Sequence, residues 1–231
     1  MADLTPGTYA LNQPAVLLRY LRLALWPAPL VFDYAWPPAT TLQQLLLPTS
    51  LVLALLLAVA WALRHHPLLG FLGGAFVLLL APTSSVLPIR DLAVEHRMYL
   101  PLAPVLTLLV VAAEALLRRF LRSPRLRQAI ACGLLVIGGV GFGTLTRQRN
   151  ATYASEEALW RDTVAKRPTN PRAHSYLANL LVAQGRLDEA IAHYLRALRL
   201  ERDVAEVHNN LGSAFAKQGT LQQAIGHYAE A

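Results

Sequence analysis

Charge is scarce in this chain. Of its 231 residues, 15% are Asp, Glu, Lys or Arg and 55% are hydrophobic, whereas a soluble globular chain carries about 25% charged residues. Much of the chain is therefore not built to face water. Cysteine is nearly absent: Cys132 stands alone inside an apolar run, so no intrachain disulfide can form and the redox compartment is left unmarked. Lysine occurs only at Lys166 and Lys217 among 21 basic residues. Such arginine-heavy usage points to a GC-rich bacterial source, and the Asn150-Ala-Thr152 glycosylation pattern is read as chance on that ground. The first residues, Met-Ala-Asp-Leu-Thr-Pro-Gly, have no basic stretch followed by an apolar one and are not read as a signal peptide.

Net charge is lacking after residue 150. From Ala151 onward nine basic residues meet nine acidic ones, so the whole +7 excess belongs to the first 150 residues. A nucleic-acid binder would carry its excess on its soluble part, and no nucleic-acid partner is expected. An excess confined to an apolar region reports membrane topology instead.

What is present is a series of long apolar runs. Four segments approach the roughly 20 apolar residues that a bilayer-crossing helix needs: about 45–63, 67–87, 99–117 and 127–146. The second is the weakest, because its apolar core from Leu68 to Ala81 is short. The third carries Glu114 one turn from Arg118, an interfacial ion pair. The fourth holds Gly133, Gly138, Gly139, Gly141 and Gly143, small residues that let a neighbouring helix approach. Upstream, Leu11 to Trp26 reads as a helix with Arg19 and Arg22 on one face and Leu17, Leu18, Leu21 and Leu25 on the other, stopped before Pro27. It is expected to lie in the interface, with Trp26, Tyr34 and Trp36 as anchors at headgroup depth.

Five arginines, Arg118, Arg119, Arg122, Arg125 and Arg127, fill the loop between the third and fourth runs without an acid, and Arg64-His65-His66 joins the first two. The positive-inside rule puts both loops in the cytoplasm. Everything after Thr146 then faces the periplasm or exterior, as does the polar island from Pro82 to Pro101. That island crowds Arg90, Asp91, Glu95, His96 and Arg97 into eight positions beside a span. It reads either as a salt-bridge cluster fixing an interfacial loop or as a site where a phosphorylated ligand meets the membrane surface.

The remainder repeats itself. His174, Leu177, Gly185, Leu187, Ala190, Ile191, His193 and Tyr194 recur as His208, Leu211, Gly219, Leu221, Ala224, Ile225, His227 and Tyr228, each 34 residues on. That is the period of the tetratricopeptide (TPR) repeat, a helix–turn–helix unit. Ala190 and Ala224 sit where the helices of a repeat pack closest, Tyr194 and Tyr228 fill the gap one turn on, and Gly185 and Gly219 take the turn, where a left-handed backbone suits glycine. Arg202 replaces the usual proline. Trp160 lies 34 residues before Tyr194, so 153–167 resembles the second helix of an earlier, degenerate repeat. The array stops at Ala231, equivalent to Ala197, which implies a piece of a longer protein. The four histidines are explained by repetition: one repeat is about 10 Å for packed helices, too far for equivalent histidines to share an ion. No metal site is expected.

Together these stretches resemble a known family. Pro82-Thr-Ser-Ser-Val-Leu-Pro88, Glu95-His-Arg-Met-Tyr-Leu-Pro101, Arg19-Tyr-Leu-Arg-Leu-Ala-Leu-Trp-Pro27 with Asp33-Tyr34, and Trp160 with Pro168-Thr-Asn170 are similar to the transmembrane-and-TPR-containing O-mannosyltransferases and their bacterial relatives. The resemblance implies a GT-C-type membrane glycosyltransferase that passes a mannose-like sugar from a polyprenyl-phosphate donor to a protein hydroxyl, with TPRs presenting the acceptor. The family's acidic catalytic residue lies in a first outward loop, which neither Asp3 nor Asp33 matches. The catalytic residues are therefore expected upstream of this chain.

The expected architecture is all-α, a polytopic transmembrane helix bundle followed by a TPR α-solenoid. Residues 1–44 form an outward-facing interfacial segment, 45–146 the transmembrane domain, 147–170 a linker with the degenerate helix, and 171–231 the repeats, 171–204 complete and 205–231 truncated. Arg90, Arg97 and His96 are the candidates for the donor phosphate, because guanidinium matches phosphate oxygens in pairs. Glu95 would orient them and Tyr99 would anchor the loop. His174, Asn179, His208 and Ser213, on the first helices of their repeats, are the candidates for the concave face. The partners expected are membrane lipid and an acceptor protein or peptide; no cofactor is identified beyond the lipid-linked donor. The alternatives are a non-catalytic, membrane-anchored TPR scaffold and a polysaccharide polymerase with a TPR tail. The place expected is a bacterial inner membrane, crossed several times, with the repeats outside.

Overall fold

Apolar runs bounded by threonine, proline and arginine fold here as helices. A computed structural model describes residues 5–81, 92 and 98–231, and among these it contains ten helices and no strand. The chain divides into two units, Met1–Leu30 with Trp36–Thr144, and Val31–Ala35 with Leu145–Ala231.

In the first unit, helix α1 spans Pro6–Leu25, capped by Thr5, whose hydroxyl accepts the Thr8 amide at 3.2 Å. It buries Tyr9, Val16 and Tyr20 against Phe76 and Leu80 of a later helix, with Trp36 and Val105 beside them. The stripe expected from sequence, Leu17 to Leu25, lies to one side: Leu17 and Leu21 pack at the edge of this cluster and Leu25 is exposed. The tyrosines carry as much apolar surface as leucine, so the face that meets the core is the one they line. Asn12 bridges the helix to the following linker, donating to the Thr8 carbonyl and accepting the Ala39 amide, both at 2.7 Å.

Helix α2, Leu42–His65, opens on a capping box between Thr41 and Gln44. Pro48 interrupts its backbone ladder, and the hydroxyls of Thr49 and Ser50 turn back to the carbonyls of Leu45 and Leu47 at 2.7 and 2.9 Å. Such back-bonding satisfies these hydroxyls within the helix itself. Helix α3, Pro67–Leu80, folds back on α2. A Cβ at Gly70 would run into the backbone of Ala62 and Leu63, and one at Gly73 would come within 2.7 Å of Val59. These two glycines, not the five of the fourth apolar run, are where helices approach closely.

Helix α4, Leu102–Phe120, joins Glu114 to Arg118 at 2.7 Å. Helix α5, Pro124–Thr152, buries no residue, and its five glycines meet nothing within 4 Å. The close packing expected for that run is therefore not made among the described residues. Two helices, α2 with 24 residues and α5 with 29, are long and apolar enough to cross a membrane; α3 has 14 residues, and 82–87 of the expected second span lie outside the described residues.

The second unit is the solenoid. Helix α6, Glu156–Lys166, is capped by Ser155. Helices α7, Pro171–Ala183, and α8, Leu187–Leu200, form one repeat; α9, Ala205–Gln218, and α10, Leu221–Ala229, form the next. Gly185 and Gly219 turn each pair at φ of 76° and 88°, the left-handed region that glycine fills without strain. Ala190 and Ala224 are buried where the helices cross, and Leu177, Leu181, Tyr194 and Leu211 complete the core. Trp160 and Val164 of α6 pack on this core as a preceding repeat would. Gly212, equivalent to Ala178, is a further small position: a Cβ there would meet the Tyr228 ring at 2.9 Å.

Candidate functional site

Two sites were legible in the sequence, and they fare differently. Arg90, Glu95, His96 and Arg97 lie outside the described residues. Tyr99, beside them in sequence, is 79% exposed.

In the solenoid, α7 presents Arg172, Ser175, Tyr176 and Asn179 at helical spacing to a groove of about 140 Å³. Ala197, Glu201, Val204, Glu206 and Val207 form the rest of its lining. Asn179 lies at its polar centre. Its Oδ1 accepts both the Tyr194 hydroxyl and the Asn210 Nδ2, the latter at 3.3 Å, which leaves its Nδ2 hydrogens for a ligand. Burial, and then the Glu206 carboxylate, push the Tyr194 hydroxyl up to about 12, so that hydroxyl stays protonated and donating. Tyr176 is half exposed and stacks on Trp160 at 4.7 Å. A groove with an aromatic plane, an amide and two carboxylates suits an extended polypeptide better than a small molecule.

His174 does not share this groove. It is five residues before Asn179, about 140° round a helix of 3.6 residues per turn, and its side chain is buried, 5% exposed. Its Nδ1 lies 2.9 Å from Nδ1 of His193, and its Nε2 lies 3.2 Å from the Pro168 carbonyl oxygen. The second repeat reproduces this unit: His208 Nδ1 lies 3.3 Å from His227 Nδ1, and its Nε2 lies 3.1 Å from the Arg202 carbonyl oxygen. His174 thus pairs inside its repeat, apart from Asn179, and His208 makes the equivalent contacts from a partly buried position. The pairing is inside a repeat, at a separation of 19 residues, and not between equivalent positions. Burial lowers the pKa of His174 and His193, with Arg196 and Arg199 adding to it for the former and His174 for the latter. Ser213 donates to the Asn209 carbonyl at 3.0 Å and lies 3.1 Å from the Tyr228 hydroxyl, so it repeats the Asn179–Tyr194 couple.

Away from the groove, charge locks α6 to the first repeat. Arg161 reaches Glu157 at 2.7 Å and Glu189 at 2.6 Å, and Arg186 reaches Glu157 at 2.8 Å. The Gln184 amide, then Arg161 and Arg186, hold the Glu157 carboxyl down at about 2. Sequence reasoning missed Arg172, Ser175, Tyr176 and Glu206. The i, i+3, i+4, i+7 spacing of 172, 175, 176 and 179 was the available signal.

The helical pairs, their 34-residue period and the groove define a protein with a TPR-type solenoid, and the TPR repeat family matches residues 178–219. Among curated proteins, the chain is 33% identical over 141 residues to "Protein O-mannosyl-transferase Tmtc1" of Drosophila melanogaster, an alignment covering 60% of this chain and 16% of that protein. It is 41% identical over 69 residues to "Protein O-mannosyl-transferase TMTC1" of Homo sapiens, covering 30% of this chain and 8% of that one. The chain thus spans only a small part of the curated relatives it matches. Among solved structures, one named "MamA MSR-1 C2" is 21% identical with a TM-score of 0.32, covering 77% of this chain and 92% of that one.

Proposed function

We propose that this chain is the later membrane part and the first TPRs of a membrane glycosyltransferase. It would pass a mannose-like sugar from a polyprenyl-phosphate donor to a protein hydroxyl. The observation that carries the reading is the extent of the likeness to the fly O-mannosyl-transferase. Its 141 residues exceed the whole of Leu145–Ala231, so the similarity is not exhausted by the repeats and takes in the apolar part of the chain. Helices α2 and α5 support a membrane setting, since they turn apolar side chains outward that water does not cover favourably. In this reading Arg97, Arg90 and His96 hold the donor phosphate, Glu95 and Tyr99 position them, and the groove beside Asn179 takes the acceptor polypeptide. The repeats face the periplasm or exterior of a bacterial cell.

Two measurements test it. A photoreactive polyprenyl-phosphate mannose is expected to label the chain in detergent and to lose most of that labelling in Arg97→Ala. A topology reporter placed after Asn150 is expected to report the outer side. Undiminished labelling of Arg97→Ala, or a cytosolic reporter, overturns the reading. The runner-up is a membrane-anchored TPR scaffold without catalysis. It is favoured by the groove itself, whose aromatic plane, amide and carboxylates suit a polypeptide. It predicts polypeptide binding at Asn179 with no donor labelling at all.

A further inference from the structure

Val31-Phe-Asp-Tyr-Ala35 lies in sequence between α1 and α2, yet it belongs to the solenoid unit. Val31 and Tyr34 are 2% and 3% exposed. Phe32 sets its ring edge-on to Trp160 at 5.3 Å and to Tyr153 at 6.3 Å. Asp33 is gripped twice, its carbonyl oxygen accepting Asn170 Nδ2 at 3.1 Å and its Oδ1 accepting Arg172 Nη2 at 2.7 Å. The same Oδ1 accepts the Ala35 amide at 2.8 Å, closing a turn in which Ala35 takes φ of 37°. The Arg167 guanidinium lies 5.6 Å from the centre of the Tyr34 ring. Asn170 is preorganised for this contact, because its Oδ1 already caps α7 through the Ala173 amide at 3.1 Å.

This is how a protein holds a short linear motif: one main-chain hydrogen bond for register, a charge-assisted pair for an acidic side chain, and aromatic contacts on either side of it. The segment has the matching character. Pro27, Pro29, Pro37 and Pro38 flank it, which keeps helix out of the segment. Among the described residues, Trp160, Arg167, Asn170 and Arg172 of the solenoid receive it, with Tyr153 beside Phe32. Arg172 also lines the open groove, so the occupied surface and the groove share a wall.

We propose that this edge of the solenoid is a binding surface for extended peptides with an aromatic–aspartate–aromatic pattern. Val31–Ala35 occupies it in cis, and a polypeptide of the same pattern binds in trans by displacing that copy. The tethered copy competes at an effective concentration in the millimolar range, so the surface is closed to weak ligands and open to a strong or clustered one. The inference does not depend on the transferase reading.

The test uses the whole chain in detergent and a fluorescent peptide covering residues 30–36. Binding is expected to be saturable in the Phe32→Ala/Asp33→Ala chain and at least about tenfold weaker in the wild-type chain, where the cis copy competes. Putting Asp33→Ala into the peptide, or adding Arg172→Ala to the chain, should each weaken binding about tenfold. The proposal is overturned if the double variant keeps hydrogen-exchange protection in α7–α10 and binds no peptide, or binds the aspartate-free peptide equally well. If that variant loses protection, millimolar peptide must restore it, and failure to restore it overturns the proposal as well.

Discussion

The two repeats are written in the same code and finish unequal. Tyr194 is 2% exposed and Tyr228 is 44% exposed, although each meets a polar partner from the equivalent position of its first helix, Asn179 and Ser213. The histidine couple closes to 2.9 Å in the first repeat and 3.3 Å in the second. The difference is the neighbour: α8 packs between α7 and α9, whereas α10 packs chiefly on α9 among the described residues. Repeat sequence therefore sets the contacts inside a repeat, and the next helix supplies the burial, as expected of an array whose units touch only their neighbours.

The comparison breaks most visibly at the tyrosines. Tyr194→Ala empties a fully packed position and is expected to cost about 3–5 kcal/mol. Tyr228→Ala should cost roughly 1 kcal/mol or less, since half of its ring already faces solvent. Hydrogen exchange of the α7–α10 amides, with denaturant, measures both. Equal losses would mean that burial does not distinguish the repeats.

Next in size come the small residues beneath those rings. Ala178→Val adds bulk under a buried Tyr194 that has nowhere to move, and overpacking of this kind costs about 1–3 kcal/mol. Gly212→Ala brings a methyl to 2.9 Å from the Tyr228 ring, but that ring can swing outward. A loss of only a few tenths of a kcal/mol, or a slight gain from replacing a helical glycine, is expected. The same unfolding measurement checks the pair.

Much of this solenoid was legible because a period is local information. The 34-residue offset, the two turn glycines and the crossing alanines could be read one against another, and the backbone at Gly185 and Gly219 follows suit. The pairing of His174 with His193 was less legible, because it joins two helices across the turn at a spacing of 19 residues. Non-local events were not legible. Tyr34 reads as a headgroup anchor by composition, yet it is buried in the solenoid unit by residues more than a hundred positions away. Nor does the sequence announce that Gly70, and not the glycine-rich α5, makes the close approach. A glycine stripe shows where a helix can be approached, and the partner decides whether it is.

Acid should sharpen the comparison in proportion to buried imidazole. Burial holds the folded-state pKa of His174, His193 and His227 below the ordinary value of 6.5, so the unfolded chain binds protons first. Stability from these groups is complete above about pH 6.5 and is lost as pH falls from there through the lowered folded values. Groups facing the first pair are Arg196, Arg199, Arg161 and Glu189, and the only acid among them favours protonation of His193. His193→Gln should therefore flatten the fall in denaturant midpoint between pH 7.5 and 5.5 more than His227→Gln does. The reverse order would assign the pH response to the second repeat.

The smallest effect is expected at the glutamines that end the first helices. Gln184 donates to Glu157 at 2.8 Å, and Gln218 donates to Asp188, so each repeat reaches back to an acid on the preceding helix. Glu157 also receives Arg161 and Arg186, whereas Asp188 receives Gln218 alone among the described residues. With its folded pKa held near 2 and an ordinary value of 4.5, the Glu157 contribution is present above pH 4.5 and fades as pH falls toward the folded value. Asp188 is exposed and Glu157 partly so, and screening keeps the effect small. Glu157→Gln should lower the denaturant midpoint slightly at low salt and not at all in molar salt, and Asp188→Asn should do less in both. A loss from Glu157→Gln that survives molar salt would show that α6 is held by shape at that position, and the charge lock would then be incidental to how the first repeat is capped.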